Sequence, residues 1–174
     1  MILVLSSTNR PESLTLELAT LYLTELSRLV PERKAELVDL SQLPVDFIAS
    51  DLYGNRSAAF RADEQRFIEA THLIFVVPEY NGSLPGILKL WIDAITYGLF
   101  AGKQAALVGL AAGMFGNARG LDHLSGILNY LQVTTLPYRI HLAKADQLQQ
   151  AEGGFRVPSV LSSIEQQVRL LFNH

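Results

Sequence analysis

Three stretches of the chain, 1–5, 72–77 and 104–110, are apolar at nearly every position. Runs of this kind, without polar alternation, fit strands of a sheet that is covered on both faces. The stretch at 72–77 is the clearest, and Pro78 closes it because proline cannot donate to a ladder. Weaker strand signals at 35–40 and 135–142 complete a set of five. Between the strands the apolar residues recur every three or four positions, which predicts helices at about 14–29, 58–70, 84–97, 119–131 and 159–172. The stretch 43–57, with Asp46, Asp51, Tyr53 and Arg56, is long for a connection and fits either a rim or lid of a site or a solvated loop.

Alternation of strands and helices implies a parallel sheet with right-handed crossovers and helices on both faces, a three-layer αβα sandwich of α/β class. Five strands in 174 residues suit the order 2-1-3-4-5, and no repeat, low-complexity tract or linker interrupts a single domain over 1–174. In the helix at 84–97, Leu84, Ile87, Leu88, Leu90, Trp91, Ile92 and Ile95 leave only a narrow polar stripe of Lys89, Asp93 and Thr96. Such a wide apolar face predicts a second copy packed across a two-fold axis, or else a helix buried deeply within its own subunit.

Composition narrows the function. Fourteen Lys and Arg against 17 Asp and Glu leave a net charge of −3 with no basic stripe, so nucleic acid is not an expected partner. The absence of cysteine removes disulfides, thiol nucleophiles, iron–sulfur clusters and thiolate zinc sites, and fits a reducing compartment. No apolar stretch is long enough to cross a bilayer and no basic segment precedes the first strand, so a cytoplasmic location is expected. The histidines His72, His123, His141 and His174 form no metal-ligand pair at helical spacing, and neither Ser6 nor Ser7 belongs to a recognisable hydrolase triad. A phosphoacceptor receiver is also excluded, because serines and Pro78 stand where its aspartates would be.

In an open α/β sheet ligands bind beyond the carboxyl ends of the strands, where consecutive connections diverge to opposite faces. The loop after the first strand offers Ser6, Ser7, Thr8, Asn9, Arg10, Ser13 and Thr15 at a helix start. Hydroxyls, a guanidinium and unpaired helical N–H groups make it a plausible phosphate seat, although Asn9 or Ser13 could equally be a plain N-cap beside a solvated Arg10. The loop after the third strand is Pro78, Glu79, Tyr80, Asn81, Gly82 and Ser83, where Asn-Gly can turn backbone amides toward a polar heterocycle or can simply form a tight turn. The loop after the fourth strand carries Gly113, Gly116 and Gly120, small enough for a planar ligand to approach the backbone.

On these residues the chain resembles the NAD(P)H-dependent FMN reductases, the flavodoxin-like family that includes flavin, quinone, azo-dye and chromate reductases. Pro78 to Ser83 reproduce the P-E-Y-N-G-S motif unchanged, and Thr8, Arg10, Ser13 and Thr15 stand at the places of the first-loop motif G-S-x-R-x-x-S-x-N. Pro85 to Lys89, Asp93 and Gly153-Gly154-Phe155 continue the match. Ser7 and Asn117 replace family glycines, and Leu90 and Trp91 replace the commoner Asn-Ala. The resemblance implies that Thr8, Arg10, Ser13 and Thr15 hold the FMN phosphate, that Pro78, Glu79, Tyr80, Asn81, Gly82 and Ser83 line the ribityl chain and ring, largely through backbone atoms, and that Gly113 and nearby residues close the pyrimidine end. It also implies NADPH or NADH as hydride donor and a quinone, azo compound, free flavin or similar small acceptor in a ping-pong reaction. No residue is then needed as acid, base or nucleophile, because the flavin carries the chemistry. A homodimer is expected, with a homotetramer left open. The alternative is a flavodoxin-like electron carrier or FMN-bound interaction protein, against which the modest net charge weighs.

Overall fold

Apolar runs become the centre of the sheet. In the computed structural model, which describes residues 1–44, 46–53, 56–148, 154–155 and 157–172, every residue of β1 (Ile2–Ser6) is buried, as are all but the first of β3 (His72–Pro78) and β4 (Gln104–Leu110). Gly153 and His174 lie outside the described residues. Strand β2 (Ala35–Asp39) pairs with β1 at one edge and is only partly buried. All pairings are parallel, in the order β2-β1-β3-β4-β5. The fifth strand departs from its expected form: instead of one strand over 135–142, β5 (Thr134–Thr135) and β6 (Ile140–Leu142) both pair with β4. Pro137 lies in the gap, where its missing N–H cannot serve the ladder.

The helices are α1 (Leu14–Leu29), α2 (Phe47–Ser50), α3 (Ala58–Glu69), α4 (Gly86–Ala94), α5 (Ala118–Tyr130), α6 (Ala145–Leu148) and α7 (Pro158–Phe172). Two apolar clusters flank the sheet. Residues of α1 and α7, such as Leu18, Tyr22, Ile164 and Val168, pack on Val4, Ile74 and Val108. On the opposite face Phe67, Leu88, Trp91 and Leu124, from α3, α4 and α5, pack on Leu5, Phe75 and Leu107. This alternation of inward positions along each strand is the period-2 geometry of a pleated sheet.

Helix α4 is shorter than the 84–97 that periodicity predicts. Pro85, extended at φ −61° and ψ 139°, disfavours helical backbone at Leu84 and so delays the start. At the far end Ile95 is extended, and the Glu64 carboxylate accepts hydrogen bonds from the N–H and hydroxyl of Thr96. Most of the wide apolar face is consumed within the subunit, with Leu88, Trp91, Ile92, Ala94 and Ile95 all buried. The described part of 43–57 is anchored at Phe47 and Asp51, while Ile48 and Tyr53 stand in solvent. Phe47 packs on Phe60 with ring centroids 5.6 Å apart, and the fully buried Asp51 accepts hydrogen bonds from the Ser57 N–H and from the hydroxyls of Ser50 and Ser57.

At the end of the sheet away from the loops, His72 packs on Phe172 at 4.7 Å, its Nδ1 2.8 Å from the Thr71 hydroxyl. Burial, then the charges of Arg33 and the N-terminus, hold its pKa below the ordinary value of about 6.5. The folded state therefore favours neutral His72, so its contribution to stability is present above about pH 6.5 and is lost as pH falls through the lower folded value. The urea midpoint is expected to drop between about pH 7 and 5, with His72→Gln flattening that slope. An equal slope in the variant would remove His72 as its source. Glu36, lowered by hydrogen bonds from Lys34 and Arg66, acts only at more acid pH.

Candidate functional site

The connection from β1 leads to α1 on one face of the sheet, and that from β3 leads to α4 on the other. A crevice opens where they diverge. It forms a cleft of about 490 Å³ whose walls are residues 10–15 of the first loop, Pro78, Glu79 and Tyr80 of the second, Leu110, Ala111 and Ala112 after β4, and Ala145 and Asp146 of α6.

One wall gathers groups able to bind an anion. Ser13 is the N-cap of α1, and its Oγ accepts the Leu16 N–H at 3.1 Å while its own O–H is left to donate outward. The N–H groups of Leu14 and Thr15, in the first turn, can have no partner within the helix and point where its dipole is positive. Arg10 is exposed beside them and makes no ion pair among the described residues. Thr15 is buried and also lines the cleft. The N-cap and the groups able to bind an anion thus share one turn.

Thr8 has a different place. It is fully buried behind the wall, where its Oγ1 accepts the Arg10 N–H at 3.2 Å and lies 2.6 Å from the Tyr80 hydroxyl, so it fastens the first loop to the second. Tyr80→Phe keeps the ring and the Arg10–Thr8 bond while removing the partly buried Thr8–Tyr80 hydrogen bond. The expected cost is about 0.5–1.5 kcal/mol of stability with turnover retained. Turnover abolished in a folded Tyr80→Phe protein would instead make the phenol a proton donor.

The second loop closes on itself. Asn81 and Gly82 both have positive φ, 51° and 77°, and the N–H of Tyr80 and of Ser83 each donates to the other's carbonyl at 3.0 Å. Glu79 donates its N–H to Leu110 O at 2.9 Å. The amides of Glu79, Tyr80 and Ser83 are therefore committed, which leaves those of Asn81 and Gly82 as the ones the turn can offer. The Ser83 hydroxyl lies 2.8 Å from His123 Nδ1, and Glu79 lies 3.6 Å from Arg119 across the loop.

Gly113 stands outside the cleft lining, exposed, with its carbonyl accepting the Lys144 N–H at 3.0 Å; Ala111 and Ala112 form that wall instead. The position that departs from the family glycine, Asn117, is buried at φ 61° and donates its Nδ2–H to Val77 O at 3.0 Å, tying the third loop to the end of β3. Asparagine tolerates this left-handed backbone better than most side chains. Asp146 and Ala145 escaped the sequence reading because no local pattern places α6 beside the first loop. Ala111-Ala112, small residues directly after a buried strand, were a signal that the glycines overshadowed.

The donor set fits the phosphate of FMN: Arg10, the hydroxyls of Ser13 and Thr15, and two helical N–H groups meet at one end of the cleft. Ser7 Oγ, buried at the head of the same loop, has no hydrogen-bond partner among the described residues. Fold and cleft together define a flavodoxin-like α/β protein with a nucleotide-type site at its switch point. A model of the NADPH-dependent FMN reductase family matches residues 1–147, and the chain belongs to that family of FMN-dependent oxidoreductases. It is 34% identical over 149 residues to an NAD(P)H-dependent FMN reductase of Pseudomonas aeruginosa, covering 81% of this chain and 78% of that protein. It is 31% identical over 105 residues to a 2-hydroxy-1,4-benzoquinone reductase of a Burkholderia species, covering 58% and 56%. The fold is shared with the flavoenzyme NAD(P)H:(acceptor) oxidoreductase of Paracoccus denitrificans at a TM-score of 0.76 and 21% identity, over 99% and 97% of the two chains. Among the described residues no helix is long and apolar enough to cross a membrane.

Proposed function

We propose that this chain, one FMN-binding domain over 1–174, carries a hydride from NADPH or NADH to a quinone, azo compound, free flavin or similar small acceptor in a ping-pong reaction. The observation that carries this reading is the anion seat of Arg10, Ser13 and Thr15 facing Tyr80 across a single cleft at the switch point. Arg10 and the first turn of α1 hold the phosphate; Ser13 donates its hydroxyl proton toward it while capping the helix. Thr8 positions Tyr80, and the Asn81-Gly82 turn presents its two uncommitted amides to the polar edge of the ring. When bound, FMN supplies the hydride-transfer chemistry. The protein's contribution is to orient donor and acceptor in turn on one accessible face, where proximity provides most of the acceleration.

The same reading places the protein in the cytoplasm as a homodimer, with a homotetramer left open. A groove of about 650 Å³ between α4 and α5, lined by Ile92, Ile95, Phe100 and Ile127 and flanked by the exposed rings of Tyr97 and Tyr130, remains uncovered in the single subunit and suits a second copy. Sedimentation showing a monomer at every concentration would remove the dimer.

An anaerobic visible spectrum of FMN-loaded protein, taken before and after stoichiometric NADPH and separately NADH, tests the activity. Bleaching of the bound flavin is expected. Bound flavin that neither nucleotide reduces would favour the electron-carrier reading, and failure to bind FMN would overturn the site assignment.

A further inference from the structure

Two of the large apolar side chains left in solvent sit together at the tip of the loop between β4 and α5: Met114 is 67% exposed and Phe115 75%. The loop beneath them is held on every side. Gly113 O accepts the Lys144 N–H at 3.0 Å, Phe115 O accepts the Ala118 N–H at 3.1 Å, and Ala111 donates to Leu142 O at 3.0 Å. Gly116 presses against His141 and Leu142 so closely that a Cβ there would come within 2.6 Å of the His141 backbone. A flexible loop could fold such side chains back onto the core; this one is clamped with them outward.

Their position relates them to the cleft. Ala112 lines it, and Met114 and Phe115 follow within three residues, no more than about 10 Å of extended chain. On the other side the Lys144–Gly113 bond sets the same tip next to Ala145 and Asp146, which also line the cleft. A thioether and an aromatic ring, exposed on a fixed loop two and three residues beyond the cleft-lining Ala112, form a surface for a flat apolar ring, because both gain from contact with an aromatic face and neither has a polar atom that needs water.

Resting on the proposed oxidoreductase reading, we infer that Met114 and Phe115 are the specificity-determining contacts for the electron acceptor, and that they select planar apolar acceptors of the quinone class over small polar ones. The pair offers the acceptor's ring an exposed apolar surface beside Ala112, while Arg10, in the cleft lining, holds the charged cofactor phosphate. The donor nucleotide, with its anionic phosphates, gains little from an uncharged platform.

The chain contains two methionines, Met1 and Met114, so methyl-labelled methionine gives one reporter at the tip and one at the start of the chain as an internal control. In FMN-loaded oxidised protein, titration with menadione is expected to shift the Met114 methyl resonance saturably and to leave Met1 unmoved. This readout involves no turnover and stands whether or not NAD(P)H reduces the flavin, so its failure is distinct from failure of the oxidoreductase reading. The double variant Met114→Ser, Phe115→Ser is expected to bind FMN as the parent does, while kcat/KM for menadione falls about tenfold more than kcat/KM for ferricyanide. Both substitutions lie in solvent and leave the core untouched. Equal losses for the two acceptors, a Met114 resonance that ignores menadione, or a tip that responds to NADPH but not to quinone would overturn the assignment. So would a double variant whose sole change is weakened dimerisation in sedimentation, which would give the tip to a second copy instead.

Discussion

Arg10→Ala is expected to weaken FMN binding by about 1.5–3 kcal/mol, roughly a 10- to 150-fold rise in Kd. Arg10 is the cation among residues 10–15 that form one wall of the cleft, and its guanidinium is not spent on an ion pair with any described carboxylate. A guanidinium can meet two phosphate oxygens at once, an arrangement that a lysine's point charge cannot copy. Arg10→Lys should therefore recover only part of the loss, and the remaining affinity should depend more steeply on salt. Flavin-fluorescence titration measures this directly, and the single tryptophan, Trp91, buried far inside the α3–α4 packing, reports independently that the fold is intact. An unchanged Kd in Arg10→Ala would place the phosphate elsewhere.

Gly109→Ala should be the more damaging change to the fold. Gly109 lies in β4 between Val77 of β3 and His141 of β6, and a Cβ there would fall inside contact distance of the Gly116 carbonyl oxygen. It would also stand 3.1 Å from the Asn117 Cβ and 3.2 Å from the Gly116 carbonyl carbon. The obstacle is mostly backbone, so no rotamer change relieves it. The third loop must move outward, at a cost of about 1–3 kcal/mol, which for a chain of this length lowers Tm by roughly 2–12 °C. The same loop carries Ala111 and Ala112 of the cleft and the Asn117–Val77 bond, so FMN affinity should fall as well. Ile164→Val, in the opposite apolar layer, gives a comparison: it should cost about 0.5–1.5 kcal/mol without altering FMN affinity. A Gly109→Ala protein that melts and binds FMN like its parent would show that the loop yields at no cost.

Most of the architecture is legible along the chain because its signals are local. The continuous apolar runs at 72–77 and 104–110 can only be strands covered on both faces, and the structure buries them so. Ser57 and Ser13 cap α3 and α1 where hydroxyl residues precede apolar periodicity. The fifth strand misled because Thr135 to Leu142 carries strand-forming residues on both sides of Pro137, and only the ladder shows that the proline divides it. For helix α4 periodicity leaves open a second copy or burial within the subunit, since it reports how apolar a face is and not what covers it; Phe67 of α3 covers Trp91 from a distant part of the sequence.

The sequence by itself determined the family and the strand order, and it set Arg10, Ser13 and Thr15 together at the start of a helix, because these signals are carried by residues close to one another along the chain, with Pro78 to Ser83 as an unbroken motif. Tertiary structure alone decided which of those residues share a wall. It set Thr8 behind the cleft as the clasp of Tyr80, put Ala111 and Ala112 of the third loop in the cleft lining, brought Asp146 in from α6, and held Met114 and Phe115 out in solvent. The physical reason is that periodicity and turn chemistry act over one or two turns of chain. The walls of a cleft at a switch point are set by how three strands, far apart in sequence, end side by side.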